Sequence, residues 1–164
     1  MTTAEAGTIT KIEELIGETY GLGPEWVTLK VTGAETNGAY LVIEVRTPAG
    51  GGPPLHTHRA SEVFFVVEGS FEFPTLIDGQ PHAVVAEAGE SVHIPGGIPH
   101  TYKNIGDDFG RLIGVVSPAA EMEGFFREAL DRVADPSETP ALDTQPDFSR
   151  LMAASAKYNF EFVL

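Results

Sequence analysis

The sequence predicts an all-β fold, a barrel or sandwich of short strands, with helices appended at its C-terminal end. Three observations carry this reading. Seven short runs rich in β-branched and aromatic residues follow one another at 26–31, 40–45, 62–67, 71–76, 82–85, 91–94 and 112–116, as strands require. Between them stand Asn37-Gly38 and Asp78-Gly79, pairs that favour tight hairpin turns. Finally, 18 glycines and 12 prolines in 164 residues imply many turns and argue against a helical bundle.

The elements follow in order as one domain. Residues 1–25 read as a tail, with a short helix at most around Ile12, Leu15 and Ile16, because Gly17 and the segment 21–24 act as breakers. Residues 26–118 form the barrel. Residues 119–164 are a helical extension of the same domain. In it Met122, Phe125, Phe126, Ala129, Leu130 and Val133 recur at helical spacing, and Ser117-Pro118 offers a cap and a first-turn proline. The stretch 135–146 holds three prolines and reads as a loop. Phe148, Leu151, Met152 and Ser155 then mark a last helix ending near Tyr158. Both helices are expected to pack on the outside of the barrel.

Composition narrows the function. With 24 acidic and 10 basic residues the formal net charge is −14, which repels nucleic acid and anionic membranes. Cysteine is absent, so disulfides, thiolate metal sites and cysteine nucleophiles are excluded. No stretch approaches the roughly 20 apolar residues of a membrane span, and residues 1–11 lack the pattern of a secretory leader. A cytoplasmic location is the expectation.

The chemistry lies in two segments. In GGGPPLHTHRASEVFFVVEG (50–69), His56 and His58 are two residues apart, so on a strand both imidazoles share a face. Glu62 follows at the start of the next apolar run, where a strand turning back returns its carboxylate to the same interior. In GESVHIPGGIPHTYKN (89–104), His100 follows a Pro-Gly-Gly turn. Three imidazoles and one carboxylate suit Mn, Fe, Co, Ni, Cu or Zn better than Ca or Mg. Gly69 and Gly89 are expected in turns of positive φ, and Pro95 with Gly97 bends the approach to His100. Parity puts Phe64 on the face of Glu62 and Tyr102 on that of His100, as candidate pocket walls, with Phe71 and Phe73 on another face that serves the core or the pocket. His93 is either a pocket residue or an ordinary core or surface histidine, and His82 is expected in solvent.

These two segments resemble the paired motifs of the cupin superfamily, G-x5-H-x-H-x3-E-x6-G on Gly50, His56, His58, Glu62 and Gly69, and G-x5-P-x-G-x2-H-x3-N on Gly89, Pro95, Gly97, His100 and Asn104. Both match without a gap, and the resemblance covers about residues 36–117. It implies a jelly-roll β-barrel holding one divalent metal ion per chain on His56, His58, Glu62 and His100. The ligand set, the GGPPLHTH approach and the helical tail look like quercetinase-type dioxygenases. That likeness implies a small-molecule substrate, enolic or aromatic, O2 as co-substrate, and Glu62 as both ligand and general base. Phe64, Tyr102, His93 and Phe73 are the pocket candidates. Two other readings stay open: a non-oxidative metal-dependent cyclase, isomerase or lyase on the same site, and a non-catalytic ligand-binding cupin. Cupin barrels commonly pair, so a homodimer is expected.

Overall fold

The computed structural model describes residues 6–7, 9–13 and 16–163. Its strands are β1 (Glu18–Leu22), β2 (Glu25–Val31), β3 (Leu41–Thr47), β4 (His56–Thr57), β5 (Ser61–Glu68), β6 (Ser70–Ile77), β7 (Gln80–Glu87), β8 (Ser91–Ile94), β9 (Lys103–Asn104), β10 (Gly110–Ser117), β11 (Asp131–Arg132) and β12 (Glu161–Phe162). The helices are α1 (Gly33–Thr36), α2 (Ala120–Ala129) and α3 (Phe148–Lys157).

Seven strands form one antiparallel sheet in the order β11-β1-β2-β3-β10-β5-β8. Opposite it lie β7-β6-β9 and β12-β4, joined because His100 bridges both His56 and Thr75. Six of the seven expected runs lie wholly within strands, and the seventh, 40–45, starts one residue before β3. The alternation behind them is a burial pattern: Leu112 and Val116 on β10, and Phe64 and Val66 on β5, turn inward. Gly114 shares that inward parity because a Cβ there would sit 2.9 Å from Ile43 and 3.0 Å from Phe64. Asp78-Gly79 makes the hairpin between β6 and β7 with both residues at positive φ, and Ile77 pairs with Gln80 across it. Gly69, Gly89 and Gly97 also have positive φ, as their turns require.

Several expectations need correction. The segment 1–25 contains β1, which pairs with β2 and β11. Its flanking glycines resemble loop punctuation, yet Thr19 and Tyr20 are buried. The short helix around Ile12–Ile16 falls in part on Glu14 and Leu15, which lie outside the described residues; residues 9–13 carry no helix. Ser117 does not cap α2. It ends β10, and its hydroxyl donates to the Ala39 carbonyl, while Ala119 stands at the N-cap. Val133 lies beyond the helix because Asp131–Arg132 leaves it to pair with β1.

The two C-terminal helices lie outside the strands and across one mouth of the barrel. α2 buries Met122, Phe125, Phe126 and Ala129, and α3 buries Leu151 and Ala154. Beyond α3, β12 pairs with β4, with Phe162 opposite His56. Phe160 stacks on Phe125 at 4.1 Å between ring centroids. The extension therefore closes the barrel rather than decorating it.

A second carboxyl besides Glu62 breaks the apolar interior. Glu25 opens β2 on the parity of Val27 and Leu29 and is 4% exposed. It accepts hydrogen bonds from the Tyr102 hydroxyl at 2.8 Å and the Thr47 hydroxyl at 2.9 Å, which tie β2 to the end of β3 and to the segment after His100. Burial pushes its carboxyl from 4.5 up to about 7, against the lowering effect of those two bonds. The folded chain thus keeps a proton that the unfolded chain releases at about pH 4.5, so this group makes stability fall as pH rises from about 4.5 to about 7. Glu25→Gln is expected to remove that loss, gaining on the parent with rising pH by on the order of 2–3 kcal/mol. Urea unfolding of both proteins across the window measures it, and a difference that stays constant with pH refutes it.

Candidate metal centre

Three short elements deliver the site. β4 carries His56, and His58 follows one residue past its end. Glu62 lies near the start of β5. His100 sits between β8 and β9, fixed to His56 by two backbone hydrogen bonds, His56 N–H to His100 O at 3.1 Å and His100 N–H to His56 O at 2.9 Å. The Pro95–Gly97 turn locks against this segment, with Gly97 N–H donating to His58 O at 2.8 Å. Gly96 lies so close that a Cβ there would fall 2.0 Å from the Arg59 carbonyl.

Each imidazole is oriented by its own neighbourhood. His56 Nδ1 lies 2.8 Å from Pro54 O, His58 Nδ1 2.9 Å from Ala60 O, and His100 Nδ1 2.7 Å from Ile98 O. A carbonyl only accepts, so all three Nδ1 atoms carry hydrogen and the three Nε2 atoms are left to converge. The potential ligand atoms of the three histidines lie within 4.8 Å of one another. Glu62 reaches two of them, with Oε2 2.9 Å from His100 Nε2 and Oε1 3.4 Å from His58 Nε2. The second approach is an ion-pair contact and not a hydrogen bond, so among the described residues the buried His58 Nε2 has no hydrogen-bond partner.

The electrostatics agree with this arrangement. Burial, helped by the charge on His100, holds the His56 imidazole down at about 4, so its ring is neutral at physiological pH. Burial alone would push Glu62 up, but contact with His100 and His58 outweighs it and holds the carboxyl down at about 2. His100 shows the converse. Burial would lower it, and its bond to Glu62 raises it above the usual imidazole range. All four side chains are at most 8% exposed. Converging imidazole nitrogens, one of them an unsatisfied buried lone pair, beside an ionised carboxylate fit a divalent transition metal. The Nδ1–carbonyl bonds supply the outer support that such ligands need.

The site opens on a cavity of about 60 Å³. Phe64 and Tyr102 line it, as parity predicts, together with His56, Glu62 and His100. Two other pocket candidates do not. His93 is exposed because β8 turns Ile94 inward and His93 outward. Phe73 is fully buried among Phe64, Phe71 and Tyr102, so it backs the wall without facing the cavity. His82 is exposed, as expected. The rest of the lining comes from residues that the sequence reading left out of the site. Glu25 and Val27 come from β2, Met122, Phe125 and Phe126 from α2, and Phe160 and Phe162 from the C-terminal end. Phe160 lies 5.1 Å from the His58 ring and 6.1 Å from the His56 ring, between centroids. For Glu25 a signal existed: it shares the inward parity of Val27 and Leu29, where a carboxylate is out of place.

Comparison with known proteins places this geometry. The Cupin domain family matches residues 43–116. Quercetin 2,3-dioxygenase from Bacillus subtilis is 28% identical over 88 residues, 53% of this chain and 25% of that protein. Acireductone dioxygenase from Gluconacetobacter diazotrophicus is 40% identical over 47 residues, 29% of this chain and 26% of that protein. The chain thus spans about a quarter of the length of these two relatives. Among solved structures, an RmlC-like cupin from Shewanella frigidimarina superposes with a TM-score of 0.54 at 27% identity, covering 65% of this chain and 88% of that one. Oxalate decarboxylase from Bacillus subtilis superposes at 0.60 and 16% identity, over 71% of this chain and 32% of that one, a likeness of fold. Among the described residues no helix is long and apolar enough to cross a membrane. From motif, topology and comparison together, residues 43–116 match the Cupin domain family on a barrel of cupin fold, with a distant resemblance to quercetin 2,3-dioxygenase.

Proposed function

We propose that the chain is a metal-dependent dioxygenase that holds one divalent transition metal on His56, His58, Glu62 and His100 and acts on a small enolic or aromatic molecule. The observation that carries this reading is the His58 imidazole, fixed through Nδ1 and left with a buried, unpartnered Nε2 beside two other converging rings. Leaving such an atom unsatisfied costs about 1–3 kcal/mol, and a shared cation removes that cost. The distant dioxygenase relatives support the choice of reaction.

When bound, the metal supplies Lewis-acid stabilisation of a substrate oxyanion and redox chemistry toward O2. The chain's own residues do the rest. Pro54, Ala60 and Ile98 hold the imidazoles in one tautomer through their carbonyls. Glu62, already ionised, takes the hydroxyl proton of an enolic substrate on a carboxylate oxygen. Phe64 and Phe160 flank the cavity and exclude water from a flat ligand.

Elemental analysis of the native protein is expected to give one divalent ion per chain. Chelation should lower the melting temperature by about 5–10 °C, the loss of roughly 3 kcal/mol of ligand-linked stability. His58→Ala or His100→Ala should lose metal and turnover together. A metal-free native protein, indifferent to added Mn²⁺, Fe²⁺, Co²⁺, Ni²⁺, Cu²⁺ or Zn²⁺, overturns the reading.

Glu62→Gln separates the ligand from the base. Turnover, followed by O2 consumption against a panel of enols, should drop by roughly 10²–10⁴-fold, while three imidazoles retain much of the metal. Near-normal turnover in a metal-loaded Glu62→Gln protein removes the base role. Loss of substrate that proceeds unchanged without O2 removes the dioxygenase assignment.

The chain pairs as a homodimer. Phe65 and Val67 on β5, with Val84 and Val85 on β7, leave apolar side chains 37–54% exposed, which favours a partner surface. Light scattering at micromolar concentration is expected to give twice the chain mass of 17.5 kDa, and the single-chain mass refutes it.

A further inference from the structure

Glu25 is no part of the metal centre, yet it faces the same cavity as His56, Glu62 and His100. Its known partners are two neutral hydroxyls, Tyr102 on Oε1 and Thr47 on Oε2. Among the described residues no lysine, arginine or histidine is bonded to it. A carboxylate offers about four acceptor positions, and these bonds use two.

A tether alone does not explain a carboxyl here. Glutamine would hold the same two hydroxyls, accepting from one and donating to the other, without placing an acid among Val27, Ile43 and Met122. Burying an acid without a cation is costly, and the cost shows in a carboxyl pushed up to about 7 by burial. A donor arriving in the cavity would offset it. The cavity, about 60 Å³, has room for roughly four to six waters. A molecule small enough to fill it has the metal centre as one polar wall and Glu25 as another.

Building on the metal-centre reading, we propose that Glu25 is a specificity-determining residue that accepts a hydrogen bond from a substrate hydroxyl. The substrate class is then a small molecule with metal-binding oxygens at one end and a hydroxyl group at the other. An analogue lacking that hydroxyl leaves a buried carboxylate with only the Tyr102 and Thr47 donors and an acceptor position unfilled, which disfavours it.

The test uses the full chain loaded with Co²⁺, whose visible spectrum reports ligand binding. The probes are acetohydroxamate and the hydroxyalkyl hydroxamates with one, two and three methylenes, which share one metal-binding end and move a hydroxyl outward in steps. One length is expected to bind roughly tenfold or more tightly than acetohydroxamate, as a charge-assisted hydrogen bond implies. In Glu25→Gln the ratio of the two affinities should fall toward one. A Co²⁺-loaded parent that binds the series without preference, or binds none of it, overturns the proposal alone, whether or not the variant folds. A ratio unchanged in Glu25→Gln overturns it as well. A protein that takes up no Co²⁺ overturns the metal reading and this proposal with it.

Discussion

The reciprocal backbone hydrogen bonds between His56 and His100 are the constraint on which the site depends. They join two segments 44 residues apart in sequence at one pair of α-carbons, and both side chains must then face the same interior. His58 follows by strand parity, and Glu62 follows because the chain reverses after Arg59 and returns as β5. His100 also bridges Thr75, so the same residue stitches β4 to β6 and closes that side of the barrel. The proposed ligand His100 is also a structural cross-link, which ties the geometry of the centre to the sheet that carries it.

This stiffness has an electrostatic consequence. Four polar side chains are held within a few ångströms of one another, nearly out of water, and none can turn away. Glu62 responds by staying ionised against His100, and His56 by staying neutral. A metal-free chain can satisfy part of the set with the Glu62–His100 pair, but His58 Nε2 is left over. Ion pairing within the protein handles an even number of partners. Converging imidazole nitrogens with one left unsatisfied fit the donor set of a cation.

Much of this was legible in the sequence, for physical reasons. Strands of four to eight residues declare themselves by alternation, and each of the seven expected runs falls on a strand, with only Tyr40 outside one. The two-residue strands β4, β9, β11 and β12 have no period to read, because they are fixed by partners and not by propensity. β1 was hidden by glycines on both flanks. The three histidines and Glu62 were legible because motif spacing encodes strand parity and turn length together. His93 could not be settled between pocket and surface without the register that sets it against Val63 with Ile94 turned in beside Glu62. The lid was not legible as such. α2 showed its apolar face, but nothing local says that this face covers the barrel mouth, or that β12 returns from residue 161 to pair with β4.

The cavity also contains its own comparison. Glu25 and Glu62 are the same residue type, nearly equally buried at 4% and 3% exposure, in one pocket. Burial pushes both carboxyls up, so burial cannot be what separates them. Glu62 has imidazoles within 2.9 and 3.4 Å that stabilise its charge, and it ends at about 2. Among the described residues Glu25 has only neutral hydroxyls as partners, and it ends at about 7. Two acids driven apart by their neighbours take different work. Under the proposed function, the one held ionised at physiological pH is the ligand and proton acceptor, and the one pushed up to about 7 is the group that receives a donor in the cavity. The fold achieves the separation by position: Glu62 lies where β4 and the His100 segment meet, and Glu25 lies at the head of β2, where the sheet supplies a threonine and a tyrosine but no cation.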